Sequence, residues 1–404
     1  MKAVVAHHLW GRVGGGELVN AYVAKTLMER GHKVAIVSTF NFDRKKYREW
    51  FNLDLGETEV YFFLPGTLPL FGIYQRLGIF IPLKRAIRKE RPNIVFIDNE
   101  LYRPILRMKE RINFKILEYI HFPFHALKIL KGETPREYIE TFKQYTADAR
   151  IYHEKYEKGL WKLYFKTWLK IHNKIARENP FEAADVVMAN SHYIAKLIKI
   201  LWNGEAKVLH PPVKVNDFKS RTNKGFDERN NAIVMIGRIS PEKRIEDVID
   251  AIAITETKPV LRVIGGMIPS ALYYKSRLMR RSLEKGVRIE FYINVSRQDL
   301  INIATSSKLF VHATKGEHFG IAVVEGMAAG CPVIVHKSGG PYEDITNYGE
   351  YGLLYENLSE LAENIDKLMT SAKLWRIYHE KALSRSLLFN EDSFKEGLVK
   401  IMGI

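Results

Sequence analysis

The sequence predicts an α/β protein of two similar domains, each a doubly wound parallel sheet with helices on both faces. Three observations carry that reading. The chain has 404 residues, more than one core usually organises at about 100–200 residues per domain. Short apolar runs alternate with longer stretches of helical periodicity, the rhythm of strand–helix–strand units. That rhythm halts at the paired prolines of His210-Pro211-Pro212 and then starts again, as expected where proline interrupts regular structure.

In the first half, the apolar run Lys2 to Ala6 reads as a strand. A glycine-rich turn follows, then the helical pattern Leu18 to Arg30 and the strand Lys33 to Thr39, completing one βαβ unit. Val60 to Leu64, Ile94 to Ile97, Lys115 to Tyr119, Val186 to Ala189 and Ala206 to Leu209 continue the strands. In the second half the buried strands are Ala232 to Ile236, Val260 to Ile264, Arg288 to Tyr292, Leu309 to His312 and Val333 to Val335. The first domain is therefore placed at 1–210 and the second at 211–380, with a terminal segment at 381–404. Residues 131–177 depart from the βα rhythm, being long, helical and rich in Lys, Tyr and Trp, and read as an insertion.

Composition narrows the function classes. Apolar residues make up 46% and charged residues 27%, which fits an ordinary globular protein and excludes disorder. Cys331 is the single cysteine, so neither a disulfide nor a cysteine-built zinc site can form within one chain, and a cytoplasmic location is expected. The start lacks a small-residue cleavage site after its apolar run. The longest apolar stretch, Leu70 to Leu83, is broken by Gln75 and Arg76 and falls short of the roughly 18–20 residues of a membrane span. The net charge is +16, and the excess sits in residues 1–210, which hold 35 basic and 22 acidic side chains against 27 and 24 beyond. Such a surface attracts phosphate, whether in nucleic acid, anionic lipid or a diphosphate substrate. No RNP-like or helix-turn-helix pattern is present, so nucleic acid is not the expected partner.

Three motifs can carry chemistry. Gly14-Gly15-Gly16-Glu17 joins a strand to a helix; its glycines allow close backbone approach, and the helix N-terminus offers N–H groups to an anion. Gly237-Arg238-Ile239-Ser240-Pro241-Glu242-Lys243-Arg244 follows another strand. Ser240 is placed to cap the next helix with Pro241 at its first position, a loop from which Arg238 and Lys243 can both reach a diphosphate. In Glu317-His318-Phe319-Gly320-Ile321-Ala322-Val323-Val324-Glu325, a small-residue helix starting near Gly320 puts Glu325 one to two turns in. Carboxylates accept hydrogen bonds from vicinal hydroxyls, so this pair suits a sugar and a ribose.

Taken in order with A-D-V-V-M-A-N-S at 184–191 and H-P-P-V at 210–213, these motifs resemble the retaining glycosyltransferases of family 4. The resemblance covers nearly the whole chain and implies the GT-B fold, two Rossmann-like domains facing across a cleft. Residues 317–330, S-G-G-P at 338–341, Y-I-H-F-P at 119–123 and G-G-G-E at 14–17 are most similar to the family's dolichol-pathway α-1,2-mannosyltransferase branch. That branch extends lipid-linked oligosaccharide at the cytosolic membrane face and implies GDP-mannose as donor. A UDP-sugar donor with a soluble or other glycan acceptor is the alternative.

The resemblance further implies roles. Arg238 and Lys243 hold the donor diphosphate and offset charge on the leaving group. Glu317 binds donor sugar hydroxyls, Glu325 the nucleotide ribose, and the backbone around His318, Phe319, Gly320 and Ile321 the sugar or phosphate. Gly15 and Gly16 approach the diphosphate, His121 sits beside the transferred sugar, and the surroundings of Gly265, Gly266 and Ile293 read the base. Retention is expected by front-face transfer, without a carboxylate nucleophile.

No metal site is expected. The D-x-D signature is absent, the nearest approach being Asp98-Asn99-Glu100, and the His7-His8 pair lacks helix-spaced carboxylates. Two stretches, Arg76 to Arg91 and Trp161 to Lys174, interleave aliphatic and aromatic residues with Lys and Arg; each fits either an interfacial helix or a core-packed one. The segment at 381–404 is expected, from the family resemblance, to return as a helix to the first domain.

Overall fold

The computed structural model describes all residues except 13, 67–71, 99, 149–158, 223 and 268–270, and the side chains of 50, 144–148 and 221 are likewise left aside. Leu70, Asn99 and the middle of the 131–177 segment thus lie outside the described residues. The chain divides into two compact units, Met1–Pro212 with Phe394–Ile404, and Val213–Ser393.

The first unit is built on strands β1 (Lys2–Ala6), β2 (Lys33–Phe40), β3 (Glu59–Leu64), β4 (Ile94–Asp98), β6 (Lys115–Ile120), β8 (Val186–Ala189) and β9 (Lys207–Val208), all parallel, in the order β3-β2-β1-β4-β6-β8-β9. A small antiparallel pair, β5 (Leu101–Tyr102) and β7 (Ala176–Arg177), stands apart from it. Val4, Val5, Ile36, Phe96 and Ile116 are fully or almost fully buried, the continuous apolar pattern of strands covered on both faces. Helix α1 (Gly15–Glu29) buries Leu18, Val19, Tyr22, Val23 and Leu27 against the sheet.

Helix α2 (Phe80–Glu90) decides one of the two open alternatives. Its Leu83, Ala86 and Ile87, with Leu77 and Ile79 before it, are buried in a core shared with Val4 and Val95. The stretch from Arg76 to Arg91 thus spans the end of one short helix, a turn and the amphipathic α2, and its apolar side chains pack into the core. Helix α3 (Gly159–Ile175) is mixed: Trp168 is buried and donates from Nε1 to the Ile73 carbonyl at 3.1 Å, whereas Leu160 and Leu163 are 84% and 62% exposed. Among the described residues no helix is long and apolar enough to cross a membrane.

The second unit repeats the plan with β10 (Asn230–Ile236), β11 (Val260–Gly265), β12 (Ile289–Ile293), β13 (Ser307–His312), β14 (Val333–His336) and β15 (Leu353–Tyr355), parallel in the order β12-β11-β10-β13-β14-β15. It also holds helices α4 (Arg297–Thr305), α5 (Ile321–Ala328) and α6 (Ala372–Ser386). The unit runs on to Ser393, past the boundary at 380 that the sequence suggests. Trp375 is buried and donates from Nε1 to the Lys308 carbonyl at 2.9 Å, and Phe389 meets Phe319 edge-on. Only from Phe394, which packs against Tyr22, does the chain belong to the first unit.

In both sheets the strand order reverses beside the first strand of the unit, between β1 and β4 and between β10 and β13. Chains leaving such neighbouring strands turn to opposite faces and leave a crevice at the carboxyl ends, where ligands of open α/β sheets bind. The ends concerned are Ala6 and Asp98 in one unit and Ile236 and His312 in the other.

Candidate active site

At the first switch point, the residue after β1 is His7 and the last residue of β4 is Asp98, so the topology brings two polar side chains together. His7 Nδ1 lies 2.6 Å from Asp98 Oδ2, and the Asn20 amide on α1 donates to the same oxygen at 3.2 Å. His121, the first residue after β6, places Nε2 3.5 Å from that oxygen as well. Burial alone would discharge His7, but the Asp98 carboxylate outweighs it and pushes the imidazole up to about 10. Burial likewise opposes ionisation of Asp98, yet His7 and His121 hold it well below the usual carboxylate range. The result is a buried ion pair with charge-assisted hydrogen bonds.

Gly14 caps α1 in extended conformation, and Gly15 and Gly16 begin it. A Cβ on Gly16 would lie 3.6 Å from His121 Nε2 and 3.6 Å from His7 Cε1. The structure thus gathers Gly16 and His121, both anticipated, around Asp98 and His7, which were not. The His7-His8 pair has no helix-spaced carboxylate in the sequence, yet His7, His8 and Asp98 each present a ligand atom within 4.8 Å of the others. The partner comes from a different strand 91 residues away, which no helix-spacing rule can find. A polar residue closing an otherwise apolar strand at a switch point was the available signal.

At the second switch point, β10 leads through Gly237 to a single 3₁₀ turn, Pro241–Lys243. Ser240 does not cap the helix that follows; its hydroxyl donates to the buried Glu242 carboxylate, which also lies 3.4 Å from the Arg238 guanidinium. Arg238 keeps two-thirds of its side chain exposed, while Lys243 turns inward and donates to Glu317 Oε2 at 2.7 Å. His312, the last residue of β13, lies 3.4 Å from the same oxygen. Burial would raise the Glu317 pKa, but the Lys243 charge and then His312 hold it well below the ordinary value. Burial keeps His312 below its own ordinary value.

Close backbone packing shapes the rest of this site. A Cβ on Gly265, at the end of β11, would come within 1.7 Å of the Gly237 carbonyl oxygen, so only glycine fits there. Ile293 pairs beside Gly265 at the end of β12. The Ser338–Pro341 turn supports the Glu317 loop from behind: Gly340 N–H donates to the Glu317 carbonyl at 2.8 Å, and a Cβ on Gly339 would meet that carbonyl at 2.4 Å. Gly320 caps α5 with φ of 108°, a backbone geometry that favours glycine. The Val323 and Val324 N–H groups donate to the Gly320 carbonyl at 2.9 and 3.4 Å, while those of Ile321 and Ala322 have no acceptor within the helix. Phe319 is buried and His318 precedes it in the loop.

Glu325 lies on α5. Its Oε1 is paired with Arg297 Nη1, and Arg297 also donates from Nε to Asp217 Oδ2 at 3.0 Å and stacks over Phe218 at 5.1 Å. Lys243, Glu317 and His312 thus form one charged group and Glu325, Arg297 and Asp217 another. Such groups are able to hydrogen-bond hydroxyls and to attract phosphate.

Residues 13–217 match the profile described as Glycosyltransferase Family 4, and residues 216–385 match Glycosyl transferases group 1. The chain belongs to glycosyltransferase family 4. It is similar over 96% of its length, at 24% identity, to a Dictyostelium discoideum protein named GDP-Man:Man(3)GlcNAc(2)-PP-Dol alpha-1,2-mannosyltransferase, of which it covers 81%. A Xenopus tropicalis protein of the same name is 26% identical over 98% of the chain and 85% of the relative. Among solved structures, Anabaena HepE in complex with UDP superposes over all of both chains with TM-score 0.69 at 18% identity. Sucrose-phosphate synthase from Thermosynechococcus elongatus superposes over 100% of this chain and 98% of its own, with TM-score 0.68 and 18% identity. The fold of this family 4 glycosyltransferase is GT-B, two Rossmann-like domains.

Proposed function

We propose that this glycosyltransferase moves mannose from GDP-mannose to a lipid-linked oligosaccharide with retention of configuration. The observation that carries the reading is the nearly full-length similarity to proteins whose name specifies that donor and acceptor, joined to a charged site of the matching type at the second switch point. On this reading Lys243 and Arg238 bind the diphosphate. Glu317 takes hydroxyls of the sugar, with the backbone of His318 to Ile321 beside it, and Glu325 takes the ribose. Gly265 and Ile293 line the base, while Gly15, Gly16 and His121 of the first unit serve the reacting end of the donor.

The step breaks the bond between the sugar C1 and the leaving phosphate oxygen and forms one from C1 to an acceptor hydroxyl oxygen on the same face. The hydroxyl proton passes to the leaving phosphate, whose growing charge Lys243 and Arg238 offset. No metal ligand is assigned a part in this. A lipid-borne acceptor also gives a use to the exposed Leu160, Trp161 and Leu163 at the start of α3, which would rest on the cytoplasmic face of a membrane among the lysines of that helix.

The test is calorimetric titration of GDP-mannose, GDP and UDP-glucose in EDTA, against the wild type and Glu325→Ala. GDP-selective binding that is lost in the variant is expected. UDP-selective binding would transfer the reading to a UDP-sugar enzyme, and no nucleotide binding would refute both.

A further inference from the structure

Three segments of the first unit converge on side chains that the proposed transfer does not use. Glu100 follows β4, His125 lies beyond β6, and His172 stands in the last turn of α3. His125 Nε2 and His172 Nε2 lie 3.0 and 2.9 Å from one oxygen, Oε1 of Glu100. The three side chains are only 12%, 10% and 5% exposed.

We propose that Glu100, His125 and His172 form a binding site for one divalent transition-metal ion of the zinc class. Two imidazoles and a carboxylate are a ligand set that such ions prefer, with coordination positions left for water. Two ligands at about 2.1 Å from an ion in tetrahedral array stand about 3.4 Å apart, so the two nitrogens, now within hydrogen-bond distance of the Glu100 oxygen, would open by about 0.4–0.5 Å on binding. One ligand atom from each residue lies within 4.8 Å of the others, so a small rotation of the imidazoles admits the ion between them.

The surroundings fit as well. Ligating groups act deprotonated, and protons compete with the metal for them. Outer partners that fix ligand orientation are present: the Tyr102 hydroxyl donates to Glu100 Oε2 at 2.9 Å, and Asn173 Oδ1 lies 3.4 Å from His172 Nδ1. Trp168 walls both imidazoles at 4.9 Å between centroids. A narrow pocket lined in part by Arg76, Asp98 and Tyr102 reaches Glu100. The cluster of His7, His8 and Asp98 is the poorer site, because Asp98 Oδ2 is already shared by His7, the Asn20 amide and His121. A bound ion would tie the C-terminal end of α3 to the β4 and β6 connections, holding the inserted helix on the sheet.

The experiment uses the full chain stripped with EDTA, dialysed, and titrated calorimetrically with zinc chloride or cobalt chloride alone. One equivalent per chain is expected, with visible absorption bands from the cobalt form. Glu100→Gln and His172→Gln should each weaken uptake at least tenfold with unchanged circular dichroism. His8→Ala should leave uptake as it was, and GDP affinity should be equal with and without metal. Absence of stoichiometric uptake by the wild type would overturn the proposal whether or not the variants fold. So would uptake unchanged in Glu100→Gln, or lost in His8→Ala alone.

Discussion

Replacing Lys243 by methionine removes the cation from a pair in which Lys243 is 18% and Glu317 14% exposed. Glu317 is then left charged against His312 and the backbone of Gly339 and Gly340, with little water. An uncompensated buried charge costs about 3–5 kcal/mol, and the residual exposure puts this case near the lower end, about 3 kcal/mol. For a unit of this size each kcal/mol moves the melting temperature by about 2–4 °C, so Lys243→Met should lower it by about 6–12 °C. Glu317→Gln is milder, about 1 kcal/mol, because the flexible lysine left behind can turn towards solvent. In the double variant the orphaned carboxylate is gone, so it should be more stable than Lys243→Met alone by about 2 kcal/mol, a coupling that a double-mutant cycle isolates. Calorimetric melting of the four proteins at pH 7.5 is the assay. If Lys243→Met melts within 2 °C of the wild type, or the double variant adds the two single losses, the pair is not held as described.

Two further outcomes follow from the same structure. His7 is raised from its ordinary value to about 10 by Asp98 against the opposing burial, so the folded protein holds this proton where the unfolded chain has released it. The stabilisation is therefore complete below about pH 6.5 and declines as pH rises towards 10; His7→Gln should flatten that alkaline decline in a series of urea titrations, and an unaltered slope would show that another group causes it. Arg297 holds Glu325 Oε1 between α4 and α5. Arg297→Met should weaken GDP binding about tenfold through a misdirected carboxylate, a loss of about 1.4 kcal/mol, with partial recovery in Arg297→Lys. Calorimetry that finds Arg297→Met equal to the wild type, while Glu325→Ala loses binding, would show that the carboxylate orients itself.

Much of the fold was legible because both periodicities are strong. The strands at Lys2, Lys33, Ile94 and Lys115 are buried on both faces and announce themselves as short apolar runs, and the prolines at 211 and 212 mark the place where the first sheet ends. Ser240 misled because its local pattern, Ser-Pro-Glu-Lys, is a good helix start; the chain makes one 3₁₀ turn there, and the hydroxyl is drawn to the buried Glu242 instead. The extent of the second unit was hidden for a similar reason, since the burial of Trp375 and Phe389 depends on partners at Lys308 and Phe319 that lie more than 60 residues away.

The candidate site divides along the same line. Residue types and their order, with the family resemblance they carry, single out Gly14 to Gly16, Arg238, Lys243, Glu317 and Glu325 as the proposed donor-binding set, because backbone approach, cationic charge and paired carboxylates are properties of short segments. Which of these meet was decided only by the sheet topology. Parallel strands deliver their carboxyl ends to one edge, and the reversal of strand order places Asp98 beside His7 and His312 beside Glu317 although each member sits on a different strand or loop. The sequence by itself could name the charges; tertiary structure chose their partners, since burial makes a charge depend on whichever group stands within about 3 Å, and that neighbour is set by the fold.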